Sequence, residues 1–273
     1  MRFAVFGNPI AQSRSPQIQT AFAAQFDLPD FDYGRILAPL DGFAAALREF
    51  IAQGGVGCNI TMPFKEDAFR ACTRVTERAA AAGVVNTIRV ETDGTLLGDN
   101  TDGAGLVADL LRHTALAGKR ILLLGAGGAA RGVLLPLAAE QPAGIVIANR
   151  TAAKAEALAQ EFSGQIATPL AGTGFDAIAG EFDVVINATA AGFDAAALPL
   201  PARVFAAGCA AYEMVYGKGE TAFLAQARAA GAKTCLDGLG MLVCQGAESF
   251  RLWTGLTPDV EPVLARVRTE LNA

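Results

Sequence analysis

Short apolar runs alternate along the chain with longer alanine-rich segments whose apolar residues recur every three or four positions. Runs of the first kind are typical of strands buried in a parallel sheet, and the longer segments are typical of helices that cover one. The runs at 2–7 (RFAVFG) and 55–61 (GVGCNIT) predict strands, and the runs on either side of Asp93 and Gly94 predict a hairpin. The alternation as a whole predicts an α/β protein.

Turn-forming residues mark where two of the predicted helices begin. Ser15 and Pro16 favour a helix start after the first strand, with Ser15 as the N-cap. The polar stretch GDNTDG at 98–103 precedes a second helix. The residues predicted to share the apolar face of that helix are Leu106, Val107, Leu110 and Leu111.

Composition adds a size estimate and excludes two classes of partner. The chain has 273 residues, of which 52% are hydrophobic and 18% are charged, which suits two domains with buried cores better than one. It carries 22 basic and 27 acidic residues, for a formal net charge of −5, and has no basic run. The sequence therefore lacks the electrostatic signature of a protein that binds nucleic acid or an anionic membrane surface.

The cysteine pattern and the apolar runs bear on location. The five cysteines are odd in number, widely spaced and never in a C-x-x-C pair, so we expect neither a disulfide framework nor a metal site. The apolar run that follows Arg2 is too short for a signal peptide, and the later apolar stretches are interrupted before they reach the width of a bilayer. We therefore expect a cytoplasmic protein.

The segment 120–132 (RILLLGAGGAARG) contains the clearest motif. An apolar run ends in Gly125-x-Gly127-x-x-Ala130, a helix follows, and a second apolar run ends at Asn149. In this setting the first glycine makes a tight turn, the second lets backbone N–H groups approach a pyrophosphate, and the small third residue allows close packing. We therefore predict a dinucleotide site whose loop comprises Gly125, Ala126, Gly127, Gly128 and Ala129.

The residues after the second run predict which dinucleotide binds. An NAD site usually has an acidic residue there for the ribose hydroxyl, whereas this chain has Asn149, Arg150, Thr151 and Lys154. Arg150 is suited to pair with a 2′-phosphate, Lys154 adds a positive charge, and Thr151 caps the next helix and offers a hydroxyl. We therefore predict NADP(H); the alternative is a solvated helix start.

A hydride transfer also needs a proton donor, and histidine is nearly absent. The single histidine, His113, stands at the polar end of a predicted helix, which indicates a surface role. Lys65 follows a strand and a turn in NITMPFK (59–65), where it would reach the ligand-binding edge of a sheet. The residues alone leave a surface lysine as the alternative.

The stretch GDNTDG contains two aspartates, Asp99 and Asp102. An EF-hand calcium loop that starts at Asp99 would have Thr101 at its third position and Leu110 at its twelfth, where ligands are required, so such a loop is excluded. We interpret Asp99 as part of the turn, whereas Asp102 stands at the start of the predicted helix, where a carboxylate is favoured.

Eight motifs follow one another over essentially the whole chain. They are GNPIAQSRSP (7–16), NITMPFK (59–65), VVNT (84–87), GDNTDG (98–103), GAGGAARG (125–132), NRT (149–151), NATAAG (187–192) and LGMLVCQGAESFRLWTG (239–255). In this order and spacing they resemble the shikimate dehydrogenase family. The resemblance implies reversible NADPH-dependent reduction of 3-dehydroshikimate to shikimate, in the shikimate pathway of chorismate and aromatic amino acid biosynthesis.

The resemblance also implies a domain arrangement. Residues 1–102 would form an α/β substrate-binding domain, and residues 103–237 a Rossmann-like NADP-binding domain. The C-terminal helices, within 238–273, would return to the substrate domain and complete it. The sequence does not distinguish a monomer from a homodimer.

Carried over position by position, the family pattern implies roles for individual residues. Lys65 and Asp102 match the catalytic pair, and Ser13 and Ser15 match the groups that bind the substrate carboxylate. Two serine hydroxyls two positions apart suit an anion because both donate to it. The remaining substrate-binding residues would be Thr61, Asn86, Tyr216 and Gln245, and Met214 and Gly238 would contact the cofactor.

The chain departs from the family pattern at several positions, and two other functions remain as alternatives. The departures are Gln19-Thr20, Ala190, Phe193, Glu213 and Gly217-Lys218. One alternative is a quinate/shikimate dehydrogenase of broader specificity, whose NAD-using members would be expected to have an acid near Arg150. The other is an NADP-binding sensor without turnover, since a fold does not guarantee a function.

Overall fold

The protein is described by a computed structural model that covers residues 1–189 and 197–272. The chain divides into two compact units. The first unit comprises Met1–Gly105 and Leu242–Glu270, and the second comprises Leu106–Met241 together with Leu271 and Asn272. Among the described residues, no helix has the length and apolar character that a membrane span requires.

Helices and strands alternate along the chain, as the sequence predicts for an α/β protein. Two single-turn 3₁₀ helices, Phe175–Ala177 and Ala202–Val204, accompany the longer elements. In chain order, those elements are β1 (Arg2–Gly7), α1 (Ser15–Ala24), β2 (Asp32–Leu37), α2 (Phe43–Ala52), β3 (Gly55–Ile60), α3 (Lys65–Ala71), β4 (Arg74–Val75), α4 (Glu77–Ala82), β5 (Thr87–Val90), β6 (Leu96–Asp99), α5 (Asp102–Leu111), β7 (Arg120–Leu124), α6 (Gly128–Ala139), β8 (Gly144–Asn149), α7 (Ala152–Phe162), β9 (Leu170–Gly174), β10 (Phe182–Asn187), β11 (Phe205–Glu213), α8 (Ala222–Ala229), β12 (Thr234–Leu236), α9 (Leu239–Thr254) and α10 (Glu261–Asn272).

The first unit contains a mixed sheet with the strand order β2-β1-β3-β5-β6-β4. β1 is parallel to both β2 and β3, whereas β5 is antiparallel to β3 and to β6. The predicted hairpin is therefore confirmed, although Val90 pairs with Leu96 and the connection is longer than two residues. Gly94 takes φ +82° there and donates its N–H to the carbonyl of Glu91 at 2.9 Å.

The second unit contains a sheet in which every strand is parallel, in the order β12-β11-β10-β7-β8-β9. This is the strand order of a doubly wound dinucleotide-binding fold, with β7 and β10 adjacent where the order reverses. Ile121–Leu124 of β7 are fully buried, as expected for a central strand covered on both faces. The prediction of a Rossmann-like domain is confirmed.

Two details of the predicted helices are wrong. α1 begins at Ser15 itself, with Arg14 at the capping position, and it is the Ser13 hydroxyl that accepts the Ser15 N–H at 3.3 Å. In α5, Leu106, Val107 and Leu110 are buried, but the Leu111 residue is 46% exposed. Leu111 lies farthest around the helix from Leu106, beyond the stripe that faces the core.

Candidate active site

Lys65 and Asp102 form an ion pair in the first unit. Lys65 is the first residue of α3, after the turn at Met62-Pro63, and Asp102 is the first residue of α5. The Lys65 Nζ donates to Asp102 Oδ2 at 2.6 Å, and the two side chains are 33% and 24% exposed. Because the pair is only partly exposed, salt screens it less than a surface pair, yet it stays accessible to a small molecule. The carboxylate therefore fixes the direction of the ammonium group.

The second oxygen and the backbone of Asp102 are also held. Asn86 Nδ2 donates to Asp102 Oδ1 at 2.8 Å, and the Asp102 N–H donates to Asn100 Oδ1 at 3.1 Å. Asn86 precedes β5 and Asn100 follows β6, and since Thr87 pairs with Asp99, both asparagines lie at the same end of the hairpin. The orientation of the carboxylate is thus set by the protein itself.

Gln245 of α9 reaches the same group of residues. Its Oε1 accepts from Thr101 Oγ1 at 3.3 Å and lies 3.5 Å from Asn86 Nδ2, while its Nε2 donates to the Leu242 carbonyl at 2.8 Å. Thr61 follows β3 directly, is half-buried, and donates its N–H to the Phe6 carbonyl at 2.9 Å. The structure thus brings Asn86 and Gln245 into contact with each other and places Thr61 against β1.

The hydroxyls of Ser13 and Ser15 lie next to each other at the start of α1. Their oxygens are 3.2 Å apart, and both side chains are partly buried. Arg35 of β2 donates to the Ser13 carbonyl from Nε at 3.0 Å and from Nη2 at 2.6 Å. The guanidinium therefore fixes the segment before the helix and adds positive charge beside two hydroxyl donors, an arrangement that suits a carboxylate.

Asp99 is not a turn residue, and its role was missed from the sequence. It ends β6, is 2% exposed, and accepts from Arg78 Nε at 2.7 Å and Nη2 at 2.5 Å. It also accepts from Thr76 Oγ1 at 2.6 Å and from the Asn100 N–H at 2.8 Å. Burial raises the pKa of Asp99, but the bonds from Arg78 and Thr76 outweigh burial and hold it below the ordinary value.

The lowered pKa predicts how the Asp99→Asn variant responds to pH. A carboxyl whose pKa is lower in the folded state stabilises the fold fully above its unfolded pKa, and this contribution is lost as the pH falls through the folded pKa. We expect Asp99→Asn to cost about 2 kcal/mol of unfolding free energy at pH 7, because Arg78 loses the nearer of its two charged partners among the described residues, Asp99 at 2.5 Å, and keeps only Glu248 at 3.6 Å. The difference from wild type should narrow below about pH 4, near the unfolded pKa of an aspartate.

Urea unfolding followed by the fluorescence of Trp253 measures this effect. Trp253 is the only tryptophan of the chain and lies in the first unit, where its Nε1 donates to the Ile88 carbonyl at 2.9 Å. Asp93→Asn, in the exposed turn of the same hairpin, is the matched control, and its unfolding free energy should differ little from that of wild type. If the unfolding free energies of Asp99→Asn and wild type differ by the same amount at pH 7 and at pH 3, the assignment of the Asp99–Arg78 ion pair is contradicted.

In the second unit, the glycine-rich loop joins β7 to α6 as predicted. Gly125 has φ +106°, and a Cβ there would lie 2.9 Å from the Ala188 carbonyl oxygen, so only glycine fits. Gly127 and Gly128 are exposed, and a Cβ on either would meet no described atom within 4 Å. α6 begins at Gly128, so its first N–H groups follow this open stretch. Together with the partly buried Ala126 and the exposed Ala129, the loop fits a pyrophosphate.

The residues after β8 carry positive charge and no acid. Arg150, Thr151 and Lys154 are exposed, and neither cation forms an ion pair within the described part of the chain. Asn149 Nδ2 donates to the Thr151 carbonyl at 3.0 Å. Thr151 occupies the capping position of α7 as predicted, but its side chain makes no capping hydrogen bond. This donor set fits a 2′-phosphate.

Met214 and Gly238 are in contact through their backbones. Met214 follows β11 and donates its N–H to the Asn187 carbonyl at 3.0 Å, and the Gly238 N–H donates to the Val215 carbonyl at 3.0 Å. A Cβ at Gly238 would lie 2.2 Å from the Met214 carbonyl oxygen, so a larger residue would displace the loop. Tyr216 is half-buried in that loop.

Two of the positions that depart from the family pattern are buried. Gln19 is 1% exposed, and its Nε2 donates to the Gly246 carbonyl at 2.9 Å. Glu213 is 2% exposed and accepts from Asn187 Nδ2 at 2.7 Å, and burial raises the pKa of its carboxyl. Ala190 and Phe193, with the end of the NATAAG motif, lie outside the described residues.

Three family models match the chain. Residues 5–88 match the shikimate dehydrogenase substrate binding domain, residues 108–193 match shikimate / quinate 5-dehydrogenase, and residues 238–268 match the shikimate 5′-dehydrogenase C-terminal domain. Among curated proteins, the shikimate dehydrogenase (NADP(+)) of Dechloromonas aromatica is 56% identical, over 99% of this chain and 98% of its own.

Solved structures are similar over almost the whole chain. The shikimate 5-dehydrogenase of Thermus thermophilus in complex with NADP(H) and shikimate has a TM-score of 0.83 at 35% identity, over 99% of this chain and 100% of its own. The 5-ketofructose reductase of Gluconobacter sp. strain CHM43, in its ligand-free form, has a TM-score of 0.86 at 32% identity, over 99% of this chain and 98% of its own. The same architecture thus occurs in proteins named for different substrates.

Proposed function

The chain belongs to the shikimate dehydrogenase family, and we propose that it catalyses the reversible NADPH-dependent reduction of 3-dehydroshikimate to shikimate. The observation that carries the proposal is the Lys65–Asp102 pair, with Nζ and Oδ2 2.6 Å apart and Asn86 on the other carboxylate oxygen. A directed ammonium group of this kind is able to donate the proton that reduction of a ring ketone requires.

Lys65 handles the proton in this mechanism. Bound NADPH supplies the hydride that reduces the ketone carbon. The Lys65 ammonium stabilises the negative charge that develops on the ketone oxygen and delivers a proton to it; in the oxidation, Nζ takes the proton back. Asp102 keeps Nζ pointing in one direction and accepts from a substrate hydroxyl, so that proton transfer does not wait for a side-chain rotation.

The other substrate groups are assigned by their chemistry. Ser13 and Ser15 donate to the carboxylate of the substrate, supported by their 3.2 Å separation and by the charge of Arg35. The substrate hydroxyls require both donors and acceptors, which amide and hydroxyl side chains provide. We assign this role to Thr61, Asn86, Tyr216 and Gln245.

NADP(H) is the proposed cofactor because the charges after β8 suit its extra phosphate. Arg150 and Lys154 pair with the 2′-phosphate, helped by Asn149 and Thr151. Met214 and Gly238 are assigned to the cofactor as well. The pyrophosphate is assigned to the loop formed by Gly125, Ala126, Gly127, Gly128 and Ala129.

The wider biological setting follows from the same proposal. Residues 1–102 with 238–273 would bind the substrate, and residues 103–237 would bind NADP(H). We expect a cytoplasmic enzyme of the shikimate pathway, active as a monomer or a homodimer. The formal net charge of −5 without a basic run supports small molecules rather than nucleic acid as partners.

Steady-state oxidation of shikimate and of quinate, each with NADP and with NAD, tests the function. We expect turnover with shikimate and NADP, and a much lower kcat/KM for both quinate and NAD. The reduction of 5-ketofructose with NADPH belongs in the same series, because a structural neighbour is named for that substrate.

Each outcome of this series distinguishes one function from another. Comparable turnover of quinate would indicate the broader quinate/shikimate enzyme, and preferred turnover of 5-ketofructose would indicate a sugar reductase. Binding of NADPH without turnover of any of these substrates would indicate a sensor.

A further inference from the structure

A group of buried polar side chains connects to Asn86, and we call it the polar network. Its members come from β2, β3, β5, the residues before α5, and α9, and none is more than 7% exposed. Buried polar groups of this kind are costly unless they are paired, so their hydrogen bonds determine one another. The members are Tyr33, Asn59, Thr87, Thr101 and Ser249.

The orientation of the Asn86 amide is fixed by donors. Its Oδ1 accepts from the Thr101 backbone N–H at 2.9 Å, and a backbone N–H can only donate. Thr87 Oγ1 donates to the same Oδ1 at 2.9 Å. With Oδ1 held by two donors, Nδ2 is left to donate to Asp102 Oδ1 at 2.8 Å.

The Thr87 hydroxyl donates to Asn86, because an amide oxygen can only accept. Tyr33 Oη donates to Asn59 Oδ1 at 2.7 Å, which leaves Asn59 Nδ2 to donate to Thr87 Oγ1 at 3.0 Å. Ser249 Oγ lies 2.8 Å from Thr87 Oγ1 and 3.1 Å from the Gln245 carbonyl oxygen, so its single proton has these two acceptors. Thr87 therefore receives a hydrogen bond from β3, contacts Ser249 of α9, and donates its own proton to the Asn86 amide oxygen.

We propose that Thr87 is a positioning residue for the reaction, through Asn86 and Asp102. Its hydroxyl keeps the Asn86 amide turned with Nδ2 towards Asp102, and Asp102 in turn directs Lys65 Nζ. Without the hydroxyl, Asn59 Nδ2 loses an acceptor and Asn86 Oδ1 loses a donor, both in a buried setting. The inference rests on the proposed function, because the positioned group is the proposed proton donor.

The test compares variants that differ in one hydroxyl. Thr87→Val keeps the shape and removes the hydroxyl, whereas Thr87→Ser keeps the hydroxyl and removes a methyl group. Thr254→Val is the control, since the Thr254 hydroxyl donates to the Phe250 carbonyl at 2.8 Å elsewhere on α9. For each protein, kcat and both KM values are measured for shikimate oxidation with NADP.

We expect Thr87→Val to lower kcat about tenfold and to leave KM for NADP within about twofold of wild type. This pattern is expected when the reacting groups lose their positioning and the cofactor site is unchanged. Thr87→Ser should restore kcat to within about twofold of wild type, and Thr254→Val should match wild type. In ligand-free, ¹⁵N-labelled protein, the side-chain amide resonances of Asn86 should shift in Thr87→Val and should remain at their wild-type positions in Thr87→Ser.

Two results would overturn the inference. One is a wild-type kcat together with unchanged Asn86 resonances in Thr87→Val. The other is a loss of kcat in Thr87→Ser as large as that in Thr87→Val. If Thr87→Val does not fold, Thr87→Ala and Thr87→Ser differ by one oxygen and give the same comparison. Failure of the proposed function is a separate result, since wild type itself would then not oxidise shikimate.

Discussion

Replacing Lys65 with alanine is expected to lower kcat for shikimate oxidation by about a thousandfold, within the range that general acid–base catalysis supplies. The variant loses the group that moves the proton and that stabilises charge on the substrate oxygen. Because these interactions are strongest in the transition state, the loss should be in kcat, with KM for shikimate and for NADP changed far less.

Three further variants test whether the loss of kcat comes from the ammonium group of Lys65. Lys65→Met keeps the apolar stem and should lose as much activity as Lys65→Ala, since the ammonium group is what acts. Asp102→Asn keeps the size of the side chain and should lower kcat by a smaller factor. Lys119→Ala is the control, because Lys119 pairs with Asp183 at 3.4 Å in the second unit and should keep wild-type kcat. A normal kcat in Lys65→Ala would remove Lys65 from the mechanism.

Replacing Arg150 with alanine is expected to raise KM for NADP by about thirtyfold, a loss typical of hydrogen bonds to a charged group. Arg150 is exposed and has no acidic partner among the described residues, so its removal leaves no buried charge behind. KM for NAD, which lacks the 2′-phosphate, should stay near its wild-type value. Steady-state kinetics with both cofactors, at a single fixed ionic strength, measures the change.

The matched control is Arg203→Ala, which removes an exposed arginine from the same unit and should change neither KM. Lys154→Ala should have a smaller effect than Arg150→Ala, because a lysine makes single contacts where an arginine makes paired ones. Equal affinity of Arg150→Ala and wild type for NADPH would contradict the assignment of the 2′-phosphate.

Much of the fold was predictable because it depends on local patterns. The strand at 2–7, the hairpin around Gly94 and the glycine-rich turn at Gly125 each follow from hydrophobic periodicity or from a required backbone conformation. Predictions that depended on the ends of helices were less accurate. Whether Ser13 or Ser15 receives the first N–H of α1 depends on where the preceding turn ends, which periodicity does not determine.

The site was predictable only in part from the residues. Lys65 and Asp102 are 37 positions apart, and resemblance to a family, not spacing, predicted their pairing. Asp99 follows an apolar strand like many turn aspartates, and nothing in the sequence links it to Arg78. That pairing requires α4 to pack beside β6, which is a tertiary arrangement. The roles of the remaining site residues stay predictions.

The polar network has a consequence for how the protein is made on the ribosome. Ser249 follows Thr87 by 162 residues and Asn59 by 190 residues, and the second unit lies between them in the chain. While residues 106–241 are being synthesised, the polar side chains of β3 and β5 lack the partner that α9 provides. Contacts of such long sequence separation form late, because a long loop must close first. The first unit therefore starts its synthesis before the second and completes its folding after α9 has emerged.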